Sequence, residues 1–404
     1  MKLGITGPDL LILSGGGQTY TINVIRILNK KYDIVYFPDA SLYRKYRLNK
    51  KYVMERAHEL ESKDIKITDF FFELLETKSS YSDIVTKYAS EKVDFIFAFD
   101  LPDFFSYSFT VDLARKMDVK FAANIMGLGD FDLHLFSYIY STLMLSKRPA
   151  IFLYRLYHFF DRKILIMKIE RSRDLAFISF LNNHYFKNVK IKFPRLEILS
   201  PGSGISNFTE NINEYIEKKC NRIIFVARLI YSKGTFDIVP ILRYISTKTD
   251  IKLELIGNFE YEREKELFFK LVEKSGLNNL VVYKGFLPNE ELYAELSGSN
   301  VLLYPSHADS YSLVIAQALA LKTPVVAYDI PGLEIYKGMK AVKLVKEFDY
   351  KSMAEEVLKL LEAKDTGNLF DDSVDKFIKE HTWENVAKQY DAFFRKYKDL
   401  LAGS

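Results

Sequence analysis

Along most of the chain, short runs of β-branched and aromatic residues alternate with longer stretches whose apolar positions recur every three or four residues. A two-residue period giving way to a 3.6-residue period, again and again, is the pattern of βαβ units built on parallel sheets. The short runs predict strands near 2–6, 33–37, 65–69, 93–99, 119–124, 175–179 and 196–199 in the first half. In the second half they predict strands near 222–227, 251–256, 280–284, 300–304, 324–327 and 341–345. Amphipathic stretches predict helices near 18–30, 81–91, 103–117 and 150–172. The tail "HTWENVAKQYDAFFRKY", 381–397, sets Val386, Tyr390, Phe393 and Phe394 at helical spacing behind Thr382 as N-cap.

Between the halves, "SPGSGISNF" at 200–208 is rich in Ser, Gly and Pro and reads as a linker. This places one α/β domain over 1–202, a second over 203–381, and a closing helix over 382–404. Two doubly wound domains would set the carboxyl ends of their strands, where such folds bind ligands, on either side of an interdomain cleft. A length of 404 residues, 48% hydrophobic and 27% charged, is enough for two cores. The net charge of +4 gives no reason to expect nucleic acid. One cysteine, Cys220, cannot form an internal disulfide, and "MKLGIT" lacks a signal pattern, so a cytoplasmic setting is expected. The longest uncharged apolar run, 133–146, has 14 residues, fewer than the roughly 20 a spanning helix needs.

Three segments carry candidate chemistry. In "LSGGGQTY", 13–20, glycines precede a helix, where bare backbone N–H groups and the helix dipole suit an anion or equally a tight turn. "FVARLIYSKG", 225–234, puts Arg228 and Lys233 at the mouth of a strand-to-helix turn. "YPSHADSYSLVIAQALALKTPVVAYD", 304–329, runs from a strand through Asp309, Ser310 and Ser312 into a helix bearing Gln317. Asp309 reads either as a cap for that helix or as a group facing a ligand. Fixed cations and N–H donors in such loops suit an anionic ligand.

These segments, in order, resemble the retaining GT-B glycosyltransferases of the glycogen-synthase-like group, glycosyltransferase family 4. "PGSGI" at 201–205 resembles the family's "PNGVD" linker, and "FVARLIYSKG" its "GRL...KG" loop. "PSHADSYSLVIAQALA" resembles "PSxxEGFGLxxxEAMA", "YDIPGLEIY" the "GGxxE" turn, "SGGGQTY" the N-terminal "GG" loop, and "HTWENVAKQY" the closing helix. The resemblance implies two Rossmann-like domains and a metal-independent hexosyltransferase that retains anomeric configuration and needs no cofactor. A UDP- or GDP-sugar would be the donor. It further implies that Arg228 and Lys233 clamp the diphosphate, that Gly16 and Gly17 approach it from the first domain, and that Asp309 orients the sugar. Ser310, Tyr311 and Ser312 would line the donor, and Gln317 would hold the ribose.

The chain departs from the family at its most selective positions. Asp309 and Gln317 stand where the family has Glu, Ser310 and Ser312 where it has Gly, and Met126 where many members carry His. Asp100 and Asn124, with Met126, are therefore the candidate acceptor contacts; Asp130 offers another polar group, while His134 and His307 read as satisfied histidines. The segments 42–52 and 147–173 are basic and interleaved with aromatics, which suits either a solvated helix face or the inner face of an anionic membrane carrying a lipid-linked acceptor. Two other readings stay open: a nucleotide-sugar-binding GT-B protein without catalysis, and a GT-B epimerase or phosphorylase.

Overall fold

The computed structural model describes residues 1–11, 15–39, 50–77, 79–101, 104–126, 164–180, 197–199, 202–205, 221–363 and 365–402. The expectations for 42–49, for 147–163, and for Asp130, His134 and Cys220 lie outside these residues. The chain divides into two compact units. The first takes the described residues through Met126, those from 164 to Gly204, and Trp383 onward; the second takes Ile205–Thr382.

In the first unit the strands are β1 (Lys2–Thr6), β2 (Asp33–Tyr36), β3 (Lys66–Ile67), β4 (Phe95–Ala98), β5 (Phe121–Ile125), β6 (Leu175–Phe180) and β7 (Glu197–Leu199). They form one parallel sheet in the order β3-β2-β1-β4-β5-β6-β7. Helices α1 (Gly16–Leu28), α2 (Lys50–Glu61), α3 (Phe70–Glu76), α4 (Tyr81–Ala89) and α5 (Phe104–Met117) connect them, and 164–171 is also helical (α6). The burial of Phe95, Ile96, Phe97 and Ala98 explains the unbroken apolar run of β4, since a strand covered on both faces has no polar side to alternate with.

The second unit repeats the plan with β8 (Arg222–Val226), β9 (Lys252–Ile256), β10 (Val281–Gly285), β11 (Val301–Tyr304), β12 (Val325–Tyr328) and β13 (Val342–Val345), ordered β10-β9-β8-β11-β12-β13. Its helices are α7 (Ile238–Ser246), α8 (Glu262–Lys274), α9 (Asn289–Ser297), α10 (Leu313–Ala320), α11 (Tyr350–Glu362) and α12 (Asp372–Glu380). Helix α13 (Trp383–Ala402) then returns to the first unit. In each sheet the strand order reverses once, between β1 and β4 and between β8 and β11. Doubly wound folds bind ligands at the carboxyl ends of the strands flanking such a reversal. Among the described residues no helix is long and apolar enough to cross a membrane.

Candidate functional site

The loops that follow β8 and β11 meet at the reversal point of the second unit. After β8 the chain makes a short 3-10 turn at Tyr231–Lys233 and reaches Gly234 with φ at 72°. A Cβ there would lie 1.8 Å from the carbonyl oxygen of Pro305, so the turn is pressed against the loop after β11 and only glycine fits. The N–H groups of His307 and Ala308 both donate to Ser232 O, at 2.9 and 3.3 Å. From the other side Gly332 approaches so closely that an added Cβ would fall 1.7 Å from Asp309 O. Tyr336 next to it donates its hydroxyl to the carbonyls of Tyr311 and Ser312, at 2.8 and 3.1 Å.

This packing brings Lys233 and Asp309 together. The Lys233 ammonium donates to Asp309 Oδ2 at 2.9 Å and to Ala308 O at 2.8 Å. Asp309 Oδ2 also accepts the Tyr304 hydroxyl, while Oδ1 accepts the N–H groups of Ser310 (2.9 Å), Tyr311 (3.3 Å) and Ser312 (2.9 Å). Burial opposes the charged carboxylate, but the Lys233 charge and these hydrogen bonds outweigh it and hold Asp309 below the ordinary carboxylate range. Burial and the neighbouring carboxylate push the Tyr304 hydroxyl well up, so it keeps its proton and donates. Asp309 is thus the anion of its own loop, and the three N–H groups that could meet a phosphate or sugar oxygen are turned onto it.

Around this core the remaining expected residues separate. Ser312 occupies the left-handed region, φ 61°, where the family resemblance expects glycine; it also caps α10, accepting the Ile315 N–H at 3.3 Å. Tyr311 is 2% exposed and packs against Tyr336, Phe377 and His381, so its ring belongs to the core of the unit. Gln317 is partly exposed on α10, as is Ser310 in the loop. Arg228 contrasts with Lys233: its side chain is exposed and enters no ion pair among the described residues.

Sequence reasoning passed over the neighbouring edge. Leu229 N–H donates to Asn258 O at 2.9 Å and Gly257 N–H to Gly285 O at 2.8 Å, a seam linking the ends of β8, β9 and β10. Phe286, the residue after β10, is 67% exposed and stands two strand spacings, about 10 Å, from the end of β8. A large aromatic directly after a strand-ending glycine was the available signal.

In the first unit, Gly16 and Gly17 open α1 at the carboxyl end of β1, with no side chain capping the helix. Gly17 faces Met126, whose Sδ would be 3.5 Å from an added Cβ, and the Met126 N–H donates to Asp100 Oδ1 at 3.1 Å. Gly17, Met126 and Asp100 therefore sit together beside the reversal point. Asn124 does not join them: it is fully buried, and its Oδ1 accepts the Ser179 hydroxyl at 3.0 Å across to β6. Burial within the sheet and the bond to β6 hold it there.

Residues 207–379 match the family of glycosyl transferases group 1. That region holds Arg228, Lys233, Asp309 and Gln317. Over 180 residues the chain is 27% identical to the MMP alpha-(1->4)-mannosyltransferase of Mycolicibacterium hassiacum, covering 44% of this chain and 43% of that one. Over 218 residues it is 28% identical to the D-inositol 3-phosphate glycosyltransferase of Corynebacterium urealyticum, covering 50% and 51%. The chain spans about half the length of the curated relatives it matches. Among solved structures, Anabaena HepE in complex with UDP and glucose superposes with a TM-score of 0.70 at 12% identity, covering 98% of this chain and 99% of that one. Sucrose-phosphate synthase of Thermosynechococcus elongatus does so with a TM-score of 0.66 at 15% identity, covering 100% and 99%. The fold is accordingly GT-B, with two Rossmann-like domains.

Proposed function

We propose that the chain is a glycosyltransferase that binds a nucleoside-diphosphate sugar on its second unit and delivers the sugar to an acceptor held by the first. The observation that carries this reading is the pairing of an exposed Arg228 with the Lys233–Asp309 loop at the strand-order reversal, inside the stretch that matches group 1 glycosyl transferases. Arg228 would take the diphosphate as a two-pronged donor, and the leaving phosphate's growing charge would be met by the guanidinium. Gln317 would hold the ribose, and the exposed Phe286 ring offers a face for the base. UDP is the first nucleotide to try, since HepE is known in complex with it. Retention of configuration and independence from metal follow from the family resemblance.

Asp100 and Met126, next to Gly17, would form the acceptor side. A glycan or lipid-linked acceptor at an anionic membrane is supported by α6, which exposes Ile164 (42%) and Met167 (48%) beside Lys168 and Arg171. The self-satisfied Asp309 also favours a second reading, a protein that binds the donor without transferring from it. Thermal unfolding with UDP, GDP and ADP tests the first step: at about 100 times its dissociation constant the right nucleotide stabilises by about 2.7 kcal/mol. Release of free nucleoside diphosphate together with sugar incorporated into an added acceptor identifies the enzyme. Stabilisation without release identifies the binder, and no response to any nucleotide removes the donor reading.

A further inference from the structure

His307 lies two residues before Asp309, at the start of the same loop, and its ring is buried between two acids. Its Nε2 is 3.0 Å from Asp237 Oδ2, its Nδ1 is 2.5 Å from Glu347 Oε1, and its side chain is 4% exposed. The ring stacks on Phe348, centroids 4.6 Å apart, and leans on Tyr328. Asp237 occupies the N-cap position of α7 but makes no capping bond; it accepts the Tyr328 hydroxyl at 2.7 Å, and burial together with the Asp237 charge raises the pKa of Tyr350 at the start of α11. Asp237 comes three residues after Gly234 and so belongs to the lysine turn, while Glu347 follows β13. A ring touching both acids therefore ties together the lysine turn, the Asp309 loop and the turn before α11.

We propose that His307 is a positioning residue for the donor site, donating to Asp237 and Glu347 at once and so fixing the lysine turn against the Asp309 loop. The proposal rests on the phosphate-site reading above. The chemistry is one of counting donors. A protonated imidazole has two N–H groups and meets both acids, whereas a neutral ring has one and must release an acid. It would also remove the positive charge that lies between the two carboxylates. The backbone bonds from His307 and Ala308 to Ser232 O lie directly on this brace, and Lys233 reaches Ala308 O and Asp309 from the next residue. Loosening the ring therefore loosens the seat of Lys233. Among the described residues the titratable groups facing the ring or its partners include Asp237, Glu347, Tyr328 and Tyr350. Burial disfavours the charged ring, yet hydrogen bonds and charge from Asp237 and Glu347 outweigh it and push His307 from 6.5 up to about 9. With the folded value raised, the contribution is fully present below pH 6.5 and is lost as pH rises through about 9.

The test uses the full chain and inorganic pyrophosphate, a bare diphosphate, between about pH 7.5 and 9.5, in the wild type and in His307→Gln and Glu347→Gln, with Arg228→Ala reporting on the phosphate site. The imidazole of His307 should titrate near pH 9 by NMR. Wild-type affinity should fall about fourfold over that range, and His307→Gln, already loosened, should show no such fall. Glu347→Gln should move the midpoint down by about one to three units, a shift that a merely space-filling histidine would not produce. A titration near 6.5, an equal fall in wild type and His307→Gln, or an unmoved midpoint in Glu347→Gln overturns the proposal. If pyrophosphate fails to bind at any pH, the phosphate reading falls on its own account. Exchange protection of the His307 and Ala308 amides then decides the brace: loss near pH 9 upholds it, and unchanged protection overturns it. If His307→Gln does not fold, Glu347→Gln carries the comparison.

Discussion

One methylene separates the Asp at 309 from the Glu that the family resemblance expects, and at this residue the change redistributes roles. The shorter carboxylate folds back onto the N–H groups of Ser310, Tyr311 and Ser312 and onto Lys233, so its acceptor capacity is spent inside the protein. Arg228 is left as the exposed cation of the pair. The two basic residues should therefore fail differently. Arg228→Ala is expected to weaken UDP or pyrophosphate binding by about 1.5–3 kcal/mol, the range for hydrogen bonds to charged groups, with little change in stability. Lys233→Ala strips the counterion from a nearly buried carboxylate and is expected to destabilise by about 3 kcal/mol, the low end for breaking a buried pair because both side chains keep some exposure (18% and 11%). Urea unfolding and calorimetric titration of both variants check this. A Lys233→Ala protein as stable as wild type would show that Asp309 has another satisfactory arrangement.

Among elements, the loops are held by close backbone approach as well as by side-chain contacts. The turn at Pro331–Tyr336 lies against the Asp309 loop through Gly332, and a methyl group there would fall 1.7 Å from a carbonyl oxygen. Gly332→Ala is expected to destabilise the second unit by about 1–3 kcal/mol, as overpacking does, and to weaken nucleotide binding alongside; urea unfolding and the thermal response to UDP measure both. The strands read well in the sequence because most are short apolar runs, the central ones β4, β11 and β12 buried along their whole length, and every strand described ends within two residues of its expected limits. Helices α2 and α3 were not expected: "FFFELLE" is only seven residues long and directly follows a strand run, and α2 carries its buried Val53, Ala57 and Leu60 at helical spacing just after a basic run. The site was legible as motifs but not as contacts. The sequence placed Lys233 and Asp309 each in a loop after a strand, yet which partner each chose depended on Gly234 and Gly332 bringing backbones together. Burial of Tyr311 and Asn124 depended on packing from Phe377 and from β6, far away in sequence.

Across the molecule, aromatic residues gather into a cluster within each unit, and the first unit's is closed by the last helix. The chain leaves the first unit after Gly204 and comes back at Trp383, so that α13 completes a core whose members lie up to 370 residues earlier. Phe394 is fully buried and lies edge-on to Phe95 and Phe97, with centroids at 6.2 and 5.5 Å. Phe177 meets Phe393, and the hydroxyls of Tyr20 and Tyr390 bond at 2.9 Å, fastening α1 to α13. Aromatic pairs add about 0.5–1.5 kcal/mol beyond the area they bury, so truncation here is costly. Phe394→Ala should destabilise the first unit by about 3–5 kcal/mol. Because Arg228, Lys233 and Asp309 belong to the other unit, that loss should leave the affinity for UDP near its wild-type value below the melting temperature. Calorimetry with and without UDP separates the two effects, since a two-unit chain need not melt as one. A Phe394→Ala protein that is folded but has lost its response to UDP would show that nucleotide affinity depends on the first unit's core, against the assignment of the donor site to the second unit alone.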